Sequence, residues 1–120
     1  MIKINNVEFD IDALDLIFID KYEEELERYN KKYNELKEKE FPSEIKRAIA
    51  MCREIFVLFD NVLGEGSSTK LFGKRVNPLE CFGVLAELTT IMCEAKEEQE
   101  KKNERIYKAM NKYLPKNGNK

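Results

Sequence analysis

Apolar side chains recur at intervals of three and four residues along most of this chain, a spacing that favours long α-helices over any other structure. The clearest run keeps a strict heptad spacing and comprises Ile19, Tyr22, Leu26, Tyr29, Tyr33 and Leu36. Helices with a narrow apolar stripe and a wide charged face also explain a composition of 37% charged and 42% hydrophobic residues. The sequence therefore predicts a mainly α-helical protein.

Local start and stop signals divide this pattern into three predicted helices. Capping side chains mark the starts, and glycine or proline marks the ends, which predicts helices from Asp12 to Glu40, from Ser43 to Gly64 and from Asn77 to Leu114. One stretch near the first start, Ile17–Ile19, is β-branched and aromatic and would also suit an extended conformation.

The N-terminal segment 1–11 has a different pattern, because apolar and polar residues alternate in it. We predict strands at 2–4 and 7–9, joined by Asn5 and Asn6, since asparagine tolerates the positive φ angles of a two-residue hairpin turn. The predicted fold is a three-helix bundle with long helices and a small N-terminal β-hairpin.

The chain length of 120 residues fits one domain, predicted to span 1–115 with a flexible tail at 116–120. With 21 basic and 23 acidic residues the net charge is −2, which disfavours nucleic acid as the main partner. The sequence contains neither the apolar run of a signal peptide nor that of a membrane span, so we expect a cytoplasmic protein and no membrane partner. The three cysteines are expected to be buried free thiols: Cys52, Cys81 and Cys93.

The absence of histidine restricts the chemistry available to this chain. Histidine is the most frequent general base and the most frequent metal ligand in proteins. A di-metal site inside a helical bundle would need inward glutamates with Glu-x-x-His motifs, which the sequence lacks. We therefore expect no enzymatic activity, no metal site and no cofactor.

The segment 64–77 is predicted to be the one long loop. It contains glycine, serine and lysine, but the order and context required for a phosphate-binding loop are missing. Two interpretations remain for this segment: a flexible connection between helices, or a partner-binding loop. In a partner-binding loop, the apolar pair Leu71-Phe72 would anchor another protein; otherwise the pair folds back onto the core. The candidate partner-binding residues are Leu71, Phe72, Lys74 and Arg75.

The tyrosine-rich stripe of the first helix has two equally good interpretations, internal packing or contact between subunits, because tyrosine suits a half-wet interface. A compact bundle would not readily cover both this stripe and the distant apolar residues Ile106, Met110 and Tyr113. We therefore predict a homo-oligomer. Its candidate interface residues are Tyr22, Leu26, Tyr29 and Tyr33.

A longer pattern runs through the middle of the chain: a helix ending in Phe59-Asp60, two spaced glycines, and Leu71-Phe72-Gly73 followed by Arg75 and Asn77. This pattern, like the opening residues 2–9, resembles small proteins encoded in tail-gene clusters of phages and prophages of Gram-positive bacteria. Many of those look like tail assembly chaperones.

The resemblance implies a non-enzymatic helical protein that binds a phage tail protein during assembly in the bacterial host's cytoplasm. A second hypothesis is a phage-encoded inhibitor of a bacterial defence system, whose partner would be a host defence protein. A structural component of the tail is a third. The resemblance supplies no catalytic residues for this chain.

Overall fold

The computed structural model describes residues 1–113, which form two short strands followed by four helices. The strands are β1 (Ile2–Ile4) and β2 (Val7–Phe9), and the helices are α1 (Leu16–Glu38), α2 (Glu44–Leu63), α3 (Ser67–Phe72) and α4 (Pro78–Tyr113). The predicted mainly α fold with an N-terminal hairpin is confirmed. The predicted number of three helices is wrong, because α3 forms inside the segment expected to be a loop. The predicted tail at 116–120 lies outside the described residues.

The hairpin is built as the sequence predicts. Asn5 and Asn6 have φ angles of 50° and 63°, and β1 and β2 pair antiparallel around them. Asn5 also fixes the hairpin to the helices: its backbone N–H donates to the Glu87 carboxylate at 3.0 Å, and its side-chain amide donates to the Leu71 carbonyl at 2.9 Å. The turn therefore docks between α3 and α4.

The helix starts follow from side-chain capping. Ser43 and Asn77 each accept hydrogen bonds from backbone N–H groups of the first turn, as predicted for α2 and α4. The start of α1 was predicted too early, because Asp15 rather than Asp12 is its N-cap and accepts from the Ile17 N–H at 2.9 Å. Ile17–Ile19 lies within α1, so the extended alternative is wrong.

Polar contacts fix how the long helices pack. Glu25 of α1 accepts hydrogen bonds from Arg28 at 2.6 Å and from Asn61 of α2 at 2.9 Å. Arg28 also donates to Glu54 at 3.0 Å, so α1 and α2 run antiparallel. Fully buried side chains from α2, α3, α4 and the hairpin form the centre of the core: Ile4, Cys52, Ile55, Leu58, Phe59, Phe72, Cys81 and Leu88. The molecule is elongated, 69 × 31 × 21 Å, because α4 runs beyond this core.

The short helix α3 depends on a side chain of α2. Its N-cap is Gly66, at φ 88°, which has no side chain to accept hydrogen bonds. Asp60 of α2 replaces it: its carboxylate accepts from the Ser68 backbone N–H at 2.8 Å and from the Ser68 hydroxyl at 3.0 Å. Asp60 thus holds α3 against α2 and directs the end of α3 toward the core.

We expect Asp60→Ala to lower the free energy of unfolding by about 0.5–2 kcal/mol, the usual cost of losing a helix cap. Asp60→Asn keeps one oxygen acceptor and should lose less. Urea unfolding of the two variants beside the wild type measures the difference. Equal stability of the alanine variant and the wild type would contradict the capping role.

Candidate partner-binding surface

The apolar pair predicted to anchor a partner lies in the core instead. Leu71 and Phe72 are only 2% and 0% exposed. The ring of Phe72 packs against those of Phe56 and Phe59, with centroid distances of 4.9 and 5.7 Å. The prediction of both residues as partner-binding anchors is therefore wrong, because α3 turns them inward. The alternative of a flexible connection is also wrong for residues 67–72.

The basic residues of the same prediction, Lys74 and Arg75, are exposed. The Arg75 guanidinium donates to the Glu80 carboxylate at 2.9 and 3.2 Å, and this hydrogen bonding lowers the pKa of Glu80. Arg75 is thus already paired within the chain. Val76 and Leu79 are exposed apolar residues close to them, so the assignment of Lys74 and Arg75 to a partner-binding surface stays a prediction.

The tyrosine-rich stripe of α1 was predicted to serve either internal packing or contact between subunits, and its residues differ in burial. Tyr22 and Tyr29 are buried, 6% and 5% exposed, so their assignment to a subunit interface is wrong and internal packing is correct. Burial raises the pKa of both phenols, and the Tyr22 hydroxyl donates to the Thr89 hydroxyl at 3.4 Å. Leu26 and Tyr33 are half-buried and pack at the edge of the core, leaving part of each side chain free for a further contact.

An open groove separates α1 from α4. The α1 side is lined by Ile19, Tyr22 and Leu26, and the α4 side by Thr89, Met92 and Cys93. Lys96 and Glu23 lie at its rim, 3.8 Å apart. Cys93 is exposed, so its prediction as a buried thiol is wrong, whereas Cys52 and Cys81 are buried as predicted. The groove thus offers an apolar floor with one charged pair at the edge.

Beyond the groove, α4 leaves the body of the protein (residues 1–95) as a single helix. We call residues 96–113 the arm. Every side chain of the arm is exposed except half-buried Gln99. At 1.5 Å per residue the arm is about 27 Å long. Ion pairs one turn apart, Glu98–Lys102 at 3.0 Å and Glu104–Lys108 at 3.3 Å, are the interactions that support its helical form.

The arm carries an apolar stripe in register with the buried face of α4. That face consists of Leu88, Met92 and Ala95, and the heptad spacing continues through Gln99, Lys102, Ile106, Ala109 and Tyr113. Four large side chains on or beside the stripe are exposed: Ile106 (57%), Tyr107 (68%), Met110 (52%) and Tyr113 (87%). The surface that packs on the core at one end of α4 is therefore uncovered at the other.

The exposed apolar residues of the arm could be predicted from the sequence, but the groove was not predicted. The resumed heptad spacing at Ile106, Met110 and Tyr113 marked an apolar set far from the other stripes. The groove depends on how far apart α1 and α4 lie and on which faces they turn to each other. Its local signals were the spacing of Ile19, Tyr22 and Leu26 on one side of α1 and that of Thr89, Met92, Cys93 and Lys96 on one side of α4.

Among residues 1–113, no three side chains of histidine, cysteine, aspartate or glutamate lie close enough together to hold a metal ion. Within the same range, no helix is both long and apolar enough to cross a membrane.

Comparison with known proteins gives a family but no functional relative. No curated protein and no solved structure matches the chain significantly. Residues 5–120 match DUF6673, a family of unknown function. The match extends from the hairpin turn through the groove and the arm, nearly the whole chain. The protein therefore belongs to the DUF6673 family.

Proposed function

We propose that this protein acts by binding other proteins, without catalysing a reaction, and that it is a phage tail assembly chaperone or a closely related morphogenesis factor. The observation that carries the binding role is the arm, a helix whose apolar stripe has no partner within residues 1–113. The tail assignment comes from the resemblance of residues 2–9 and 59–77 to tail-cluster proteins.

The energetics of the arm favour a bound partner. The arm makes little contact with the body, although most helical stability in proteins comes from packing of an apolar face. The ion pairs within the arm contribute only about 0.2–0.5 kcal/mol each. Leaving Ile106, Met110 and Tyr113 in water gives up further stabilisation that their burial would supply. Contiguous exposed apolar residues of this kind mark interaction sites.

The groove and the arm together suit a helical ligand. The groove of Ile19, Leu26 and Met92 opens at the base of the arm. The polar residues 96–105 separate it from the exposed apolar side chains of Ile106, Met110 and Tyr113. A helix bound along the arm would place apolar anchors, at intervals of three and four residues, against Ile106, Met110 and Tyr113, and would direct one at its end into the groove. A chaperone with this surface would cover an amphipathic helix of a tail protein until assembly.

Co-expression with phage tail proteins tests the proposal. We expect one of them to stay in solution and to co-purify with the wild-type chain. The double substitution Ile106→Ser and Met110→Ser removes two anchors and should weaken capture about tenfold or more. Glu97→Ser with Lys101→Ser, on the charged side of the arm, is the matched control and should bind like the wild type.

Two results would count against this function. Equal capture by the Ile106/Met110 variant and by the wild type would show that the arm is not the binding surface. A tail protein that stays soluble without the chain would remove the chaperone role. If the chain instead captured a host defence protein and restored phage growth on a defended host, the inhibitor hypothesis would replace it.

A further inference from the structure

We propose that a second copy of this chain covers the apolar stripe of the arm when no client is bound, with the two arms lying antiparallel against each other. This inference rests on the proposed function, because it takes the arm and groove as a protein-binding surface. It adds the occupant and a mode of regulation: each copy protects the client-binding surface of the other.

The charges of α4 favour a second copy and set its direction. Between residues 94 and 100, at the base of the arm, there are four glutamates and one lysine. Between residues 101 and 113 there are four lysines and one arginine but only one glutamate. Parallel arms would place halves of like charge side by side, whereas antiparallel arms place each acidic half beside a basic half.

The body limits how far the two arms overlap. Ile19, near the start of α1, lines the groove together with Met92 and Lys96, and the end of α2 lies beside the start of α1. A second helix running along the stripe toward the body therefore stops near Ala95. With Tyr113 of one copy opposite Ala95 of the other, the heptad positions fall opposite each other in turn: Gln99 faces Ala109, and Lys102 faces Ile106.

This register gives the side chains along the stripe suitable partners. Ile106 packs on the aliphatic part of Lys102, while Tyr113 reaches the open groove beside Met92. Glu98 and Lys112 flank the stripe and lie across from each other at both ends of the paired region.

The same register predicts modest affinity. The two Arg105 side chains meet near the centre, and large apolar residues are few. We therefore expect dissociation constants of tens of micromolar, weak enough for a client to displace the second copy.

Disulfide trapping tests the direction and the register. In a Cys93→Ser background, Gln99→Cys and Ala109→Cys are prepared as separate proteins; Cys52 and Cys81 are buried and stay in place. We expect a covalent dimer when the two variants are mixed under mild oxidation, and none beyond background from either alone. Covalent dimers from each variant alone would indicate parallel arms. Either that result or no dimer in the mixture would overturn the proposal.

Charge exchange gives an independent readout. Sedimentation equilibrium up to about 200 micromolar should show wild-type dimers. Glu98→Lys or Lys112→Glu alone should weaken the dimer about fivefold or more, because each places like charges together at both ends. The two substitutions combined restore opposite charges and should recover most of the wild-type affinity. Wild-type chain that stays monomeric throughout this range, or a combined variant as weak as the single ones, would overturn the antiparallel dimer.

The two proposals fail in different ways. If dimers are absent but client capture still depends on Ile106 and Met110, only the self-pairing is wrong. If dimers form as described but no tail protein is bound, the self-pairing stands as a property of the chain and the chaperone function fails.

Discussion

Replacing Phe72 with alanine is expected to lower the free energy of unfolding by about 3–5 kcal/mol, the range found for deleting a buried aromatic ring. Phe72 is fully buried and its ring contacts those of Phe56 and Phe59. Removing it leaves a cavity between α2 and α3. The substitution should also weaken the attachment of the hairpin, because the side-chain amide of Asn5 donates a hydrogen bond to the carbonyl of the preceding residue, Leu71.

Urea unfolding followed by circular dichroism measures this effect. Phe72→Leu keeps much of the apolar volume and provides a measurable variant if the alanine protein is unfolded in water. Leu79→Ala is the matched control, since Leu79 is 87% exposed and its truncation should change stability by no more than about 0.5 kcal/mol. If Phe72→Ala were as stable as this control, α3 would not belong to the core, and the anchor interpretation of Leu71 and Phe72 would return.

The features that could be predicted from the sequence are those decided within a few residues. Asn5 and Asn6 specify the hairpin turn because they themselves adopt the positive φ angles it requires. Ser43 and Asn77 specify helix starts because their side chains bond to the next turn. In both cases the residues that carry the signal also make the contact.

The features that could not be predicted depend on contacts far apart in the sequence. Leu71 and Phe72 have the same local composition whether they face a partner or the core. The hydrogen bonds that Ser68 donates to Asp60 support α3, and they decide between the two together with the aromatic contacts to α2. The exposure of Cys93 depends in turn on the distance between α1 and α4, which no residue near Cys93 reveals.

Stability is expected to fall as the pH rises from about 9 to 12, because buried tyrosine and cysteine side chains resist deprotonation in the folded protein, most of all Tyr29 and Cys81. Burial raises the pKa of Tyr29 from its ordinary value of 10 to about 12. Burial, together with the adjacent Cys52 thiol, raises the pKa of Cys81 from 9 to about 12. The unfolded chain therefore releases these protons at lower pH than the folded chain. At a pH between the unfolded and folded pKa values of a group, the unfolded chain binds fewer protons than the folded chain, so the free energy of unfolding decreases with rising pH.

The size of the effect follows from the same linkage, at about 1.4 kcal/mol for each pH unit between the unfolded and folded pKa values of a group. The expected loss of stability is about 2–4 kcal/mol for each group once the pH reaches its folded pKa, with no loss below pH 9.

Variants of single side chains test the assignment. Tyr29→Phe keeps the ring, removes the proton and should flatten the profile of stability against pH above pH 10. Cys81→Ala should remove the part that begins near pH 9. Tyr107→Phe is the matched control, because Tyr107 is 68% exposed on the arm, and it should leave the profile unchanged. Urea unfolding midpoints measured from pH 8 to about 11.5 would contradict the assignment if Tyr29→Phe and Tyr107→Phe gave the same profile.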